Sequence, residues 1–264
     1  MNTKQSCQRL AMSVAAVVLG IAVYPGLTRP ANATTQTASL NLNSINQQLI
    51  SQTFQPPDRG APPRTADGGS RGCGLVKPGQ KGLTALTPGN SLPLTVSEKP
   101  TFFWYVPAST AVRLEFTLMD ETDSQVIYTT KIPLPSKAGI VGFTLPKTNA
   151  PALKIGKMYH WYLAMVCDSN DRTGDTVVDG WIERTVQSAS LTEQLNQANS
   201  LSEQAAVYAD AGIWHEAVST LAKLRQNQPE NQELLNSWER LLRSVELERF
   251  AQEPVVDTIE ISQE

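Results

Sequence analysis

Histidine is almost missing from this chain: 264 residues hold two, His160 and His215. A Ser-His-Asp or Cys-His site needs one of them in a cleft beside a nucleophile. His160 follows Tyr159 in an expected strand and His215 sits in an expected helix, so both read as surface or packing residues. No Gly-x-Ser-x-Gly elbow occurs, and the glycines are scattered through turns instead of gathered in a phosphate-binding loop. Excess positive charge is also missing. The formal net charge is −3, which gives no support for nucleic-acid binding. Beyond the N-terminal stretch, no apolar run approaches the ~20 residues of a bilayer-spanning helix. No catalytic residue and no cofactor are expected. An enzyme of unfamiliar type is the third-ranked reading, and a cleft holding His160 with carboxylates is the feature that would revive it.

What is present at the N-terminus has the form of an export signal. Lys4 and Arg9 make a basic start, Leu10 to Val23 is apolar, and Pro25-Gly26 breaks the run. Ala31-Asn32-Ala33 then supplies the small-x-small pattern of a signal-peptidase site, so cleavage is expected after Ala33. Losing residues 1–33 removes Lys4, Arg9 and Arg29 and no acid, leaving 19 bases against 25 acids and a formal charge of −6. Cys7 goes with that segment, which leaves Cys73 and Cys167. In an oxidising compartment two thiols tend to pair. That bridge would close a loop of over ninety residues, worth roughly 4 kcal/mol in the chain-entropy model. The alternative is two separate buried thiols. The localisation read from this pattern is periplasmic or secreted.

Residues 34–70 are expected to be a disordered Pro/Gly/polar linker, since QPPDRGAPPRTADGGS at 55–70 carries too little apolar surface to offset its ordering entropy. From residue 71 to 187 short β-type runs alternate with turn chemistry. Pro100-Thr-Phe-Phe-Trp-Tyr-Val-Pro107 is aromatic and β-branched and is closed by proline at both ends. It reads as a central strand with Phe102, Trp104 and Val106 on one face and Phe103 and Tyr105 on the other. Leu83–Leu86, Leu92–Val96, Ala111–Met119, Gln125–Ile132, Ile140–Leu145, Met158–Cys167 and Thr176–Val186 supply partners. Ala111–Met119 alternates with a period of two, as a half-buried antiparallel strand does. This spacing predicts an all-β sandwich.

From Ser190 the apolar period becomes 3.6. Leu191, Leu195, Ala198, Leu201, Ala205 and Tyr208 line one expected helix that ends at Gly212. Trp214 to Leu224 gives a second, and Pro229 opens a third through Val245. The helical region is assigned to 188–251 and a flexible acidic tail to 252–264. Residues 188–264 hold 5 bases and 13 acids, read as a well-solvated helical surface.

Several local patterns resemble known families. Phe102-Phe-Trp-Tyr-Val-Pro107 resembles the Trp-bearing strand of fibronectin type III domains, and Leu153-Lys-Ile-Gly-Lys-Met-Tyr159-His-Trp161 resembles their tyrosine-corner turn and strand. The resemblance implies an Ig/fibronectin-III-like sandwich. Ala205, Tyr208, Gly212, Trp214, Ala217 and Pro229 fall at the spacings of one tetratricopeptide repeat, followed by one more helix, and solenoids need three or more repeats. Arg71-Gly-Cys73-Gly, Leu83-Thr-Ala-Leu86, Ser97 to Pro107, Gly180-Trp-Ile182 and Ala211-Gly-Ile-Trp214, taken together, resemble domain-of-unknown-function family 928, a cyanobacterial family. That resemblance runs from about Arg71 to Ala251 and implies an exported protein with no catalytic residues to carry over.

Three further groups merit weighing. Asp168, Asp171 and Asp175, with Asp179 after them, crowd one loop and strand and are a weak calcium candidate, against a default of polar hairpin. Tyr105, Tyr162 and Trp181 are candidates for an aromatic platform that binds a glycan or peptide, against a default of core packing. Metal binding by the cysteines is disfavoured because no His or Cys lies at ligand spacing. The reading that results is an exported, non-enzymatic binding or adaptor protein. Its partner is an unidentified envelope or extracellular protein, and the alternative is a carbohydrate- or cell-wall-binding module.

Overall fold

The computed structural model of the protein describes residues 53–63, residue 73 and residues 79–260. The expected signal segment 1–33 and most of the expected linker lie outside the described residues.

Among the described residues nine strands form two sheets. Thr84–Ala85 (β1), Thr101–Val106 (β3), Gly139–Thr144 (β6) and Val255–Glu260 (β9) make a four-stranded sheet in the order β1-β3-β6-β9. Leu94–Thr95 (β2), Arg113–Asp120 (β4), Val126–Ile132 (β5), Met158–Val166 (β7) and Thr176–Arg184 (β8) make a five-stranded sheet in the order β2-β8-β7-β4-β5. The β2–β8 and β6–β9 pairings are parallel and the rest antiparallel. The sheets pack face to face as a β-sandwich, and the eight expected strands all form within it.

The inner faces carry the alternating apolar residues. Phe102, Trp104 and Val106 from β3 meet Phe116 and Leu118 from β4, Phe143 from β6, and Trp161, Leu163 and Met165 from β7. Phe102 and Phe116 lie 4.9 Å apart centre to centre, and Trp104 and Trp161 lie 5.7 Å apart. Each such ring stabilises the fold by roughly 2–3 kcal/mol through burial. The bridge between Cys73 and Cys167 is formed, with Cα atoms 5.3 Å apart. Tyr159 lies at the start of β7, and its hydroxyl accepts a hydrogen bond from the Lys154 backbone N–H at 3.0 Å. That bond ties the turn before β7 to the strand.

Four helices follow, where the 3.6 period predicts three: Ala189–Gln197 (α1), Leu201–Asp210 (α2), Trp214–Asn227 (α3) and Gln232–Arg243 (α4). The expected first helix breaks at Ala198–Ser200. The Ser200 side chain accepts from Glu203 N, and Glu203 in turn accepts from Asn199 N. This reciprocal capping of a Ser-x-x-Glu sequence starts a new helix there. The third expected helix begins at Gln232 and not at Pro229, because the Asn231 side chain caps Glu233 N and Leu234 N.

The helices pack on the outer face of the four-stranded sheet. Phe103, Tyr105 and Ile140 share a core with Trp214, Val218, Trp238, Leu241 and Phe250. Three consecutive residues at the start of α3 fix this docking. Trp214 Nε1 donates to Leu86 O at 3.0 Å, and His215 Nδ1 donates to Thr101 O at 3.0 Å. Glu216 Oε1 accepts from Thr95 Oγ1, Val96 N and Ser97 N. Farther round the edge of the sandwich, Leu191 and Ile213 cover Leu92, Leu94 and Trp181.

Two expectations for the chain's ends are corrected. Residues 252–264 are not simply a flexible tail, since Val255–Glu260 adds β9 beside β6. Gly139 permits that approach, because a Cβ there would lie 2.5 Å from Val256 Cγ1 and 2.7 Å from Pro254 O. The linker is also anchored in part. Phe54 is 2% exposed and meets Trp214 edge-on at 5.2 Å. A Pro- and Gly-rich composition therefore did not exclude order where one aromatic residue finds a pocket.

Tyr159→Phe removes the hydroxyl acceptor and leaves the ring in place. We expect a loss of about 1 kcal/mol, read as a lower urea midpoint with an unchanged slope.

Candidate functional site

The strand register of the five-stranded sheet gathers a polar and aromatic group on its outer face. His160 stands opposite Trp181, and Tyr162 opposite Asp179. Trp181 stacks on the His160 ring, with centres 4.1 Å apart and planes 10° apart. His160 Nε2 lies 2.8 Å from Asp179 Oδ2. His160 Nδ1 lies 2.9 Å from both carboxylate oxygens of Asp123 and 2.9 Å from the Tyr162 hydroxyl. Asp123 reaches in from the β4–β5 turn, where its φ is +55°, a conformation that Asp tolerates better than most residues. Burial, then the charges of Asp123 and Asp179, push the Tyr162 hydroxyl above its ordinary pKa, which keeps it a donor.

This geometry is a clamp. Both imidazole nitrogens face a carboxylate. Trp181 covers one ring face, and the side chain is 6% exposed. A general base needs a nitrogen within reach of a substrate proton, and here both are already engaged. The two carboxylates also approach opposite edges of the ring, so they do not converge on a point as metal ligands must. The period of two in β7 and β8 would have placed His160 with Tyr162, and Asp179 with Trp181. The register between strands and the reach of Asp123 were not visible in the sequence.

Other expected residues fall elsewhere. Tyr105 is on the opposite sheet, buried against Phe250 with ring centres 5.1 Å apart. Trp181 is 5% exposed. Tyr105, Tyr162 and Trp181 therefore share no open platform. Asp168 accepts from Asn170 N, Asp171 caps Thr173 N and Oγ1, and Asp175 accepts from Cys167 N and pairs with Arg172. Each carboxylate serves its own turn, and among the described residues no group of three His, Cys, Asp or Glu is placed to hold a metal ion. His215 is buried, and desolvation lowers its pKa to about 4, against the raising effect of its bond to Thr101.

Two concave surfaces formed by the described residues bear on function. A cleft of about 400 Å³ opens between α3 and the four-stranded sheet, lined by Thr101, Phe103, Thr144, Thr258, Ser219 and Lys223 among others. The second is a groove formed by the α2–α3 turn and the end of α4, which the segment Thr53–Pro63 crosses. Phe54 N donates to Ser244 Oγ at 3.1 Å and Gln55 N donates to Ala209 O at 3.0 Å. Gly212, with φ +73°, lets the segment lie close, since a Cβ there would stand 3.0 Å from Gln55 O and 3.3 Å from Pro57 Cδ. Arg59 then pairs with Glu183 of β8 at 2.8 Å. No helix among the described residues is long and apolar enough to cross a membrane.

A family model described as Domain of Unknown Function (DUF928) matches residues 66–255. No curated protein matches the chain.

Removing the ring by His160→Ala strips the buried Asp179 of its imidazole partner. We expect a loss of about 3 kcal/mol in chemical denaturation, partly restored by adding Asp179→Asn. A second outcome concerns pH. The folded state keeps His215 neutral down to about pH 4, whereas the unfolded chain protonates near 6.5. Below 6.5 the unfolded state binds more protons, so stability falls as pH drops from 6.5 to about 4. Burial raises the Glu216 pKa and gives the opposite slope in acid. The His215 part is isolated by comparison with His215→Gln. Between pH 7 and pH 4 the wild type should lose about 3 kcal/mol more than this variant.

Proposed function

This chain belongs to the Domain of Unknown Function (DUF928) family, and we propose that it is an exported, non-enzymatic binding or adaptor protein acting through protein–protein contact. The observation that carries the reading is the docked segment Thr53–Pro63. The helical surface holds an extended peptide by one aromatic anchor and two main-chain hydrogen bonds, a mode in which domains recognise partner segments.

Export is supported by the signal-type N-terminus with a site after Ala33 and by the disulfide, which suits a periplasmic or secreted protein. A cyanobacterial source is the expectation that accompanies the family resemblance. The sandwich is of the fibronectin type III kind in this reading. Its support is the Tyr159 corner bond, Trp104 on β3, and the division of β1, β3 and β6 from β4, β5, β7 and β8. The α2–α3 pair is a single tetratricopeptide-type hairpin, supported by Ala205, Trp214 and Ala217 packed in one core and by the turn at Gly212.

A second reading, a carbohydrate-binding module, draws on the hydroxyl-lined cleft and not on the aromatic residues. Its Thr and Ser hydroxyls suit a polyhydroxyl ligand, and Phe103 forms part of its wall.

Affinity purification of the tagged protein from its native envelope fraction, with mass spectrometry of what co-elutes, separates the two. A reproducible envelope protein at defined stoichiometry is the expected result. Recovery of glycan alone, or of nothing, would overturn the adaptor reading.

A further inference from the structure

We propose that the groove formed by the α2–α3 turn and the end of α4 is a recognition site for an extended segment of a partner protein. That segment carries an aromatic residue, paired prolines just after it and then an arginine. Phe54-Gln-Pro-Pro-Asp-Arg59 is the occupant held in cis. The inference deepens the adaptor reading and rests on it.

The occupant's chemistry is read from its seat. Phe54 is the only large apolar residue in Thr53–Pro63, and its ring packs edge-on against Trp214 in the helical core. The segment's hydrogen bonds to the rest of the described structure come from Phe54, Gln55 and Arg59. Two of them use the main chain, so they recognise an extended backbone of any sequence. The Phe54 anchor and the Arg59–Glu183 pair add the sequence preference. Pro56 and Pro57 restrict the backbone and lower the entropy lost on docking, and Arg59 N then bonds back to Pro57 O at 2.8 Å, which turns the chain after them. Gly212 keeps the floor clear where Gln55 and Pro57 pass.

One observation separates the groove from its present occupant. The family match begins at residue 66, so it covers α2, α3 and α4 but not the segment that fills the groove. The match thus spans the elements that form the groove and leaves the strap outside it. Charge is complementary where the strap leaves the groove, because its arginine lands on the carboxylate of Glu183.

The test uses a fluorescein-labelled peptide of the sequence Thr53–Pro63, titrated by anisotropy into the full chain. Phe54→Ala should bind it saturably, and the wild type at least tenfold more weakly, because its own strap competes. A peptide with alanine in place of its phenylalanine should not bind. Absence of saturable binding to a folded Phe54→Ala chain would overturn the proposal. Should that variant fail to fold, hydrogen exchange on the wild type decides. Phe54 and Gln55 amides should exchange at least a hundredfold faster than those of β7, through local release of the strap. Exchange only through global unfolding would overturn the proposal. A wild-type dimer that becomes monomeric on Phe54→Ala would also overturn it, since the occupant would then be a second copy. An envelope partner captured equally by wild type and Phe54→Ala would sink the groove and leave the adaptor reading standing. Peptide binding with no envelope protein captured would do the reverse.

Discussion

Polar groups taken out of water must find partners, and the start of α3 shows how much of this molecule follows from that rule. Trp214, His215 and Glu216 are consecutive, so their side chains fan around the first helical turn. Each meets a different part of the sandwich: the strand end at Leu86, the β3 start at Thr101, and the β2 end at Thr95 to Ser97. With three directions tied, the axis of α3 over the four-stranded sheet has no freedom left. The rest of the helical layer is placed in consequence. Trp238 and Leu241 pack behind α3, and Phe250 comes down on Tyr105. His215 illustrates the cost, since it stays buried only as the neutral ring and makes the docking sensitive to acid.

The outer face of the other sheet obeys the same rule with a different outcome. Three charged or chargeable groups, Asp123, His160 and Asp179, meet under an indole, and every nitrogen of the ring is engaged. A histidine flanked by two carboxylates looks like acid–base machinery when named as a list. In space it is a brace between a hairpin turn and two strands. The ring joins Asp123 of the turn, Tyr162 of β7 and Asp179 of β8.

The extended pieces at the margins are ordered by surfaces that already exist. Thr53–Pro63 has one anchor, and β9 has Val255, Val256 and Ile259 against the sheet. Neither run could pay for its own ordering in isolation. Each gains a ready-made partner, a helical groove in one case and the free edge of β6 in the other. Composition weighs a segment against water, which is why the proline-rich linker and the acidic tail both read as unstructured. The β-branched run Val255 to Ile259 did carry a strand signal beneath the acidic residues around it.

Much of the architecture was legible in the chain itself. The eight sandwich strands and the change of period near Ser190 follow from alternation and turn chemistry, because local geometry sets periods of two and 3.6 without reference to the rest of the fold, and the disulfide was an expectation from the export signal and the two remaining cysteines. The helix break at Ser200 was also written locally, in Ser-x-x-Glu. The candidate sites were not. Whether Trp181 is open or covered depends on where Leu191 and Ile213 come to rest. The partners of His160 depend on a strand register and a turn more than thirty residues away. The groove exists only once α2, α3 and α4 are packed together. The sequence by itself determined which elements form and which faces are apolar, through interactions between near neighbours. Only the tertiary structure decided which polar groups meet and which surfaces stay open, because those depend on contacts between residues far apart in the chain.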